Sequence, residues 1–135
     1  MSSFIKPEYI DSELTGRIIG CAMSVHTALG NGFAESIYQR SLEIEMRDVG
    51  IIFTREYDMP IHYKSQIVGR RRVDFLVESK IAVELKAVIE LEKGHLAQAI
   101  NYLEAYNLQT GLLMNFGSRK LQYHRLSNLT FKPSR

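Results

Sequence analysis

The run Val73-Asp74-Phe75-Leu76-Val77-Glu78-Ser79-Lys80-Ile81-Ala82-Val83-Glu84-Leu85-Lys86 constrains this chain more than any other. Val73, Phe75, Val77, Ile81, Val83 and Leu85 recur at every second position on either side of Glu78-Ser79-Lys80, the pattern of a β-hairpin with one face buried. A turn centred on Ser79 sets Asp74 directly opposite Glu84, with Cβ atoms roughly 4.5–5.5 Å apart. Lys86 lies two residues beyond Glu84 and shares its side. Two carboxylates and an ammonium are therefore expected on one face, with a core under the other. Like charges opposed across a sheet destabilise it, and a divalent cation with hard oxygen ligands is the natural compensation. Hairpin surfaces also carry Asp, Glu and Lys as ordinary solvated residues, so the pattern draws its force from its surroundings.

The chain has 135 residues, 45% hydrophobic and 24% charged, which predicts one globular domain over residues 1–135 with a sizeable core. Residues 1–11 read as a loose N-terminal arm. No apolar run approaches the ~20 residues of a membrane span, and Met1–Pro7 lacks the apolar region of a secretory signal. An intracellular, cytoplasmic protein with no membrane partner is the expectation. Cys21 is the sole cysteine, which excludes an internal disulfide and a multi-cysteine zinc site. It falls in a helical pattern and reads as a buried, inert thiol. The formal net charge is only +2, yet Arg70-Arg71-Arg72 leads directly into Asp74. A basic rim beside an acidic site suits a phosphodiester ligand, although such triplets also occur as plain surface.

Helical spacing predicts a first helix capped by Ser12 or Thr15 and running to about Leu29, with Ile18, Ile19, Ala22, Val25 and Leu29 inward. Gly30-Asn31-Gly32 ends it. A second helix is expected over about Ala34–Asp48, with Ile37, Leu42, Ile44 and Met46 as its apolar positions. Strand-like runs follow at Ile51–Tyr57 and Met59–Tyr63, where Pro60 disfavours a central position. After a turn at Lys64-Ser65-Gln66 come Ile67–Val77, with a bulge expected near Gly69, and then Ile81–Leu85. A third helix covers about Glu92–Tyr106, with Leu96, Ala99, Ile100 and Leu103 on one face. Thr110–Phe116 is a short apolar strand, reached through that helix by a β-α-β crossover that implies parallel pairing. Leu121–Leu126 alternates as an edge strand. The result is an α/β fold with a mixed sheet and flanking helices.

Further residues join the hairpin. The second helix opens Gly32-Phe33-Ala34-Glu35-Ser36-Ile37-Tyr38, and the third carries Gln98-Ala99-Ile100-Asn101-Tyr102. With Asp74 and Glu84-Leu85-Lys86, the chain from about Leu14 to Leu126 resembles the PD-(D/E)XK nuclease superfamily. Within it, the chain is similar to the small GxxExxY proteins and, through Gln98 and Tyr102, to the RecB-like branch. The resemblance implies a restriction-endonuclease-like core. It implies Glu35, Asp74 and Glu84 as catalytic ligands of Mg²⁺ or Mn²⁺, Lys86 as the catalytic residue that positions water, and Gln98 and Tyr102 as substrate contacts. Tyr38, Arg70, Arg71 and Arg72 join these as candidate substrate contacts. The motif proline before the aspartate is replaced here by Val73. Each residue has an everyday explanation. Glu35 suits a helix N-terminus in any case, Tyr38 could cover the core edge, and Gln98 and Tyr102 could form a helix boundary at i and i+4. The four histidines show no metal spacing. His26 reads as a helix-face residue and His95 as a possible phosphate contact.

Carboxylates that hold a divalent ion supply hydroxide near neutral pH and offset charge on a phosphate. The function expected is a metal-dependent nuclease acting on DNA, with RNA left open. The alternatives are a non-cleaving module that grips nucleic acid or protein on a nuclease-like fold, and a subunit active only with a partner. The chain is small for an independent nuclease, and a homodimer would enlarge its binding surface.

Overall fold

A computed structural model describes residues 11–133; the expected N-terminal arm lies outside them except for Asp11. Two helices lead, α1 (Ser12–Leu29) and α2 (Glu35–Asp48). Ile18, Ile19, Ala22 and Val25 of α1 are buried as their spacing predicts. Asp11 is the N-cap, in the left-handed region at φ 57° and without a side-chain cap. The expected cap at Ser12 or Thr15 does not form; Thr15 Oγ1 donates to the Ser12 carbonyl, and the Asp11 carboxylate pairs with Lys80 at 3.0 Å. The buried stripe of α2 is Tyr38, Leu42 and Met46. Ile37 and Ile44, expected inside, are exposed, because Tyr38 takes the place in the i, i+4, i+8 row that faces α1 and the sheet.

Five strands follow around a third helix: β1 (Phe53–Tyr63), β2 (Gln66–Val77), β3 (Ile81–Lys86), α3 (Lys93–Tyr106), β4 (Thr110–Asn115) and β5 (Gln122–Ser127). They form one sheet in the order β1-β2-β3-β4-β5. Only β3–β4 is parallel, as the crossover through α3 requires. The two runs expected before Lys64 are a single strand. It lies at the sheet edge, where Pro60 is tolerated. The pairing shifts by one between Ile61 and His62, opposite Gly69 and Ile67, which places the bulge at Val68 beside the predicted glycine. Cys21 is buried, and burial pushes its thiol up to about 11, the inert state expected.

The hairpin does not have one buried face and one solvated face. Ile81, Val83 and Leu85 pack into the large core with α1 and α2. Ala82 packs on the opposite side with Ala99 and Leu103 of α3, and all residues of β3 but Lys86 are buried. A central strand between two helical layers has no solvent face.

Strict alternation also fails at one place. Arg55 and Met59 would share a face in a regular strand. Instead, Arg55 reaches Glu43 and Gln39 of α2, while Met59 packs with Val73 and Leu76 beside Tyr106 of α3. Likewise Phe75 and Val77 belong to the α1–α2 core, but Val73 belongs to the α3 side. Both strands change face between Arg55↔Phe75 and Tyr57↔Val73 without a change of register. The change falls on Glu56, in the left-handed region at φ 54°, and on its cross-strand neighbour Asp74.

Candidate active site

At this crossing point β2 and β3 part. Their backbone pairing runs Val77↔Ile81, Leu76↔Ala82, Phe75↔Val83 and stops there. Continuing the register sets Asp74 opposite Glu84, as the sequence predicts. The Leu85 N–H donates instead to Asp74 Oδ2 at 2.8 Å, so a side chain replaces the next rung. Asp74 Oδ1 accepts from Gln39 Nε2 at 2.7 Å, and Arg55 Nη1 donates to Gln39 Oε1 at 3.0 Å. Glu35 stands one turn before Gln39, at the start of α2. Glu35, Gln39, Asp74 and Arg72 line one open hollow. Desolvation first and the Asp74 charge second raise the Glu35 pKa, against Lys86 and Arg71.

Glu84 faces the other side. Its carboxylate is buried at 7% exposure and meets Arg71 through a single contact, Nη2 to Oε2 at 3.1 Å. Among the described residues, Glu84 Oε1 and Arg71 Nε are buried without a hydrogen-bond partner. The Arg71 guanidinium lies 4.8 Å from the Tyr102 ring centroid, a cation–π distance. Glu84, Lys86, Arg71, His95, Gln98 and Tyr102 line a narrow hollow between the sheet and α3. Burial, followed by the Asp74 charge, pushes the Glu84 pKa up to about 8, although Arg71 and Lys86 pull it down. His95 accepts from the Glu92 N–H through Nδ1 at 2.9 Å, which closes the capping box at the start of α3.

Two hollows thus flank the place where the strands part, one lined from α2 and one from α3. The expected convergence of Asp74, Glu84 and Lys86 on one face is corrected: Glu84 and Lys86 line the α3 side, and Asp74 turns toward α2. The charges still sense one another, since Asp74 and Glu35 both raise Glu84. Gln98 and Tyr102 come in from α3 as expected, and Glu35 comes in from α2. Tyr38 does not join them. It is fully buried, donates to the Gly30 carbonyl at 2.6 Å, accepts from the Phe33 N–H and stacks on Phe116. It anchors the α1–α2 turn. Arg70 stays exposed, paired with Asp58, and Arg72 pairs with Glu56. Gln39 was missed by the sequence reading, although its i+4 spacing from Glu35 puts it on the same helix face. Arg71 was placed on a basic rim but turns inward.

The sequence matches the PD-(D/E)XK nuclease superfamily over residues 12–126. The chain belongs to that superfamily. Its mixed sheet between helices is consistent with the restriction-endonuclease-like fold. The solved crystal structure of SSO0001 shares this fold at a TM-score of 0.52 and 17% sequence identity, matching 69% of this chain and 49% of that one. This chain therefore spans about half the length of SSO0001. No curated protein matches the chain.

PD-(D/E)XK nucleases generally use divalent metals. Among the described residues, no group of three or more His, Cys, Asp or Glu is gathered to hold a metal ion, so the three-carboxylate set of Glu35, Asp74 and Glu84 is not assembled. The donors nonetheless fit a hard cation. Mg²⁺ needs only one or two carboxylates and keeps its waters, and Glu84 offers a buried oxygen that no described residue satisfies. A superfamily member with Asp74 and Glu84 at the parting strands has the donor chemistry for such an ion. Among the described residues, no helix is long and apolar enough to cross a membrane.

Proposed function

We propose that the chain is a Mg²⁺- or Mn²⁺-dependent nuclease of the GxxExxY group and RecB-like branch, hydrolysing phosphodiester bonds in DNA. The observation that carries this reading is the Glu84 carboxylate, buried in one hollow with Lys86, within reach of the Asp74 charge and with one oxygen unmet among the described residues. Desolvating a carboxyl with no partner for one oxygen costs about 1–3 kcal/mol, a cost explained by a ligand that the oxygen awaits. Glu35, Asp74 and Glu84 would be the residues to hold the ion. When bound, the ion lowers the pKa of a water and offsets charge on the phosphate.

The chain's own residues do the rest. Lys86 lines the same hollow as Glu84. As an ammonium it orients the attacking water and stabilises charge growing on the phosphate. Gln98 and Tyr102 present an amide and an aromatic ring from α3 to the nucleic-acid strand. Gln39 fixes the Asp74 carboxylate, and the Leu85 N–H holds it from the other side.

With Mn²⁺, purified wild-type protein is expected to nick or degrade DNA. Lys86→Ala should lower the rate by about 10²–10³, or ~3–4 kcal/mol of transition-state stabilisation, with an unchanged thermal melt. If single-stranded, duplex and branched DNA are shifted in a gel but never cut with either metal, the protein is a binding module. If Lys86→Ala cuts as fast as wild type, the chemistry lies elsewhere.

A further inference from the structure

We infer that Arg71 is a positioning residue that occupies the place of the metal charge at Glu84 until a nucleic-acid phosphate takes its guanidinium, so that metal and substrate bind cooperatively. The inference rests on the metal-dependent reading above and adds an order to it. Its ground is the incompleteness of one ion pair. A guanidinium and a carboxylate can meet as a fork, with two parallel hydrogen bonds. Here they meet through one contact, Nη2 to Oε2 at 3.1 Å. Arg71 Nε and Glu84 Oε1, the two atoms that a fork would join, are both buried and unpaired.

A buried pair with an unmet donor and an unmet acceptor gains little against its desolvation. Each partner is better served by another ligand: a divalent ion for the carboxylate, and a phosphate for the guanidinium, whose fork matches phosphate oxygens. Tyr102 makes the exchange short. The guanidinium lies against its ring, and Tyr102 shares the hollow with Lys86 and Gln98. Arg71 therefore has only to pivot from Glu84 along the tyrosine face to meet a strand entering beside Lys86.

The sign of the coupling follows from charge. Arg71 repels a divalent ion at Glu84 about twice as strongly as it repels a proton there. Removing its charge should tighten metal binding even where the metal must displace a proton. Binding a phosphate to Arg71 should do the same, and the effect must be reciprocal.

The test is calorimetric titration of Mn²⁺ into wild type, Arg71→Met and Arg71→Lys, with and without a short phosphorothioate oligodeoxynucleotide. Methionine keeps an apolar stem against Tyr102 and removes the charge. The expected result is Mn²⁺ affinity about tenfold higher in Arg71→Met than in wild type, with Arg71→Lys close to wild type. The oligonucleotide should tighten Mn²⁺ binding to wild type and leave Arg71→Met unchanged. Equal or weaker Mn²⁺ binding in a folded Arg71→Met overturns the inference and leaves the metal-dependent reading standing. If no variant binds Mn²⁺ under either condition, that reading falls and the inference with it. Should Arg71→Met fail to fold, wild type decides alone: an oligonucleotide that does not change Mn²⁺ affinity overturns the coupling.

Discussion

Glu84 is a carboxyl group whose surroundings oppose its charge. Its pKa of about 8 lies above the ordinary 4.5, so between these values the folded protein holds a proton that the unfolded chain has released. Stability contributed by protonated Glu84 is therefore full at low pH and is lost as pH rises toward 8. In chelator, Glu84→Gln should match wild type near pH 4.5 and exceed it by about 2–4 kcal/mol at pH 9, as read from denaturant melts across pH. Equal pH profiles for the two proteins would show that the carboxyl is not desolvated. At this scale the sequence was legible in the strand positions, which set Asp74 in register with Glu84 and Glu84 in one hollow with Lys86. It was opaque for Arg71, because three consecutive arginines look alike and only the crossing of the strands decides which one turns inward. Tyr38 was misread for a related reason. Its motif position suggests substrate, whereas its ring fills the core and its hydroxyl ties down Gly30 and Phe33.

Helices and strands were more legible than their faces. Periods of 3.6 and 2 found the helices and strands within a few residues, apart from splitting β1 in two, since those periods follow from backbone geometry. They could not show that both strands swap faces at Glu56 and Asp74, because a left-handed glutamate leaves no mark in an alternation. The placement of α3 rests on a small residue of the neighbouring strand. A Cβ on Gly111 would lie 3.0 Å from a Leu103 methyl and 3.2 Å from the Ala82 carbonyl oxygen. Gly111→Ala should push α3 outward, cost about 1–3 kcal/mol and loosen Gln98 and Tyr102 from the hollow. A melt gives the stability. A larger rise in KM than fall in kcat would identify the loss as substrate positioning rather than chemistry. At the other end of β4, the fully buried Asn115 side chain bonds Val88 through both N–H and carbonyl and also Gln122. It thereby clamps the chain just beyond Lys86.

Across the whole molecule, the class of fold was readable because one crossover helix between apolar strands leaves few topologies open. The pair of hollows flanking the parting strands was not, since it depends on tertiary contacts from α2 and α3. Charge at this scale is modest, and Arg72 points outward, paired with Glu56 in the hollow that Asp74 lines. DNA retention should fall as salt rises, and Arg72→Ala should reduce the slope of log affinity against log salt by about one. A filter-binding series without metal reads both slopes, and identical slopes would remove Arg72 from the interface. The strand order, identical to the chain order, has a consequence for synthesis. Each strand leaving the ribosome meets the edge laid down just before it and need not insert between strands already paired. When Lys86 emerges, β3 can have only β2 beside it, and Glu84 remains wet. The hollow closes around that carboxyl only after α3 and β4 have followed, so the chain buries this poorly solvated group late, when the surrounding frame already exists to hold it.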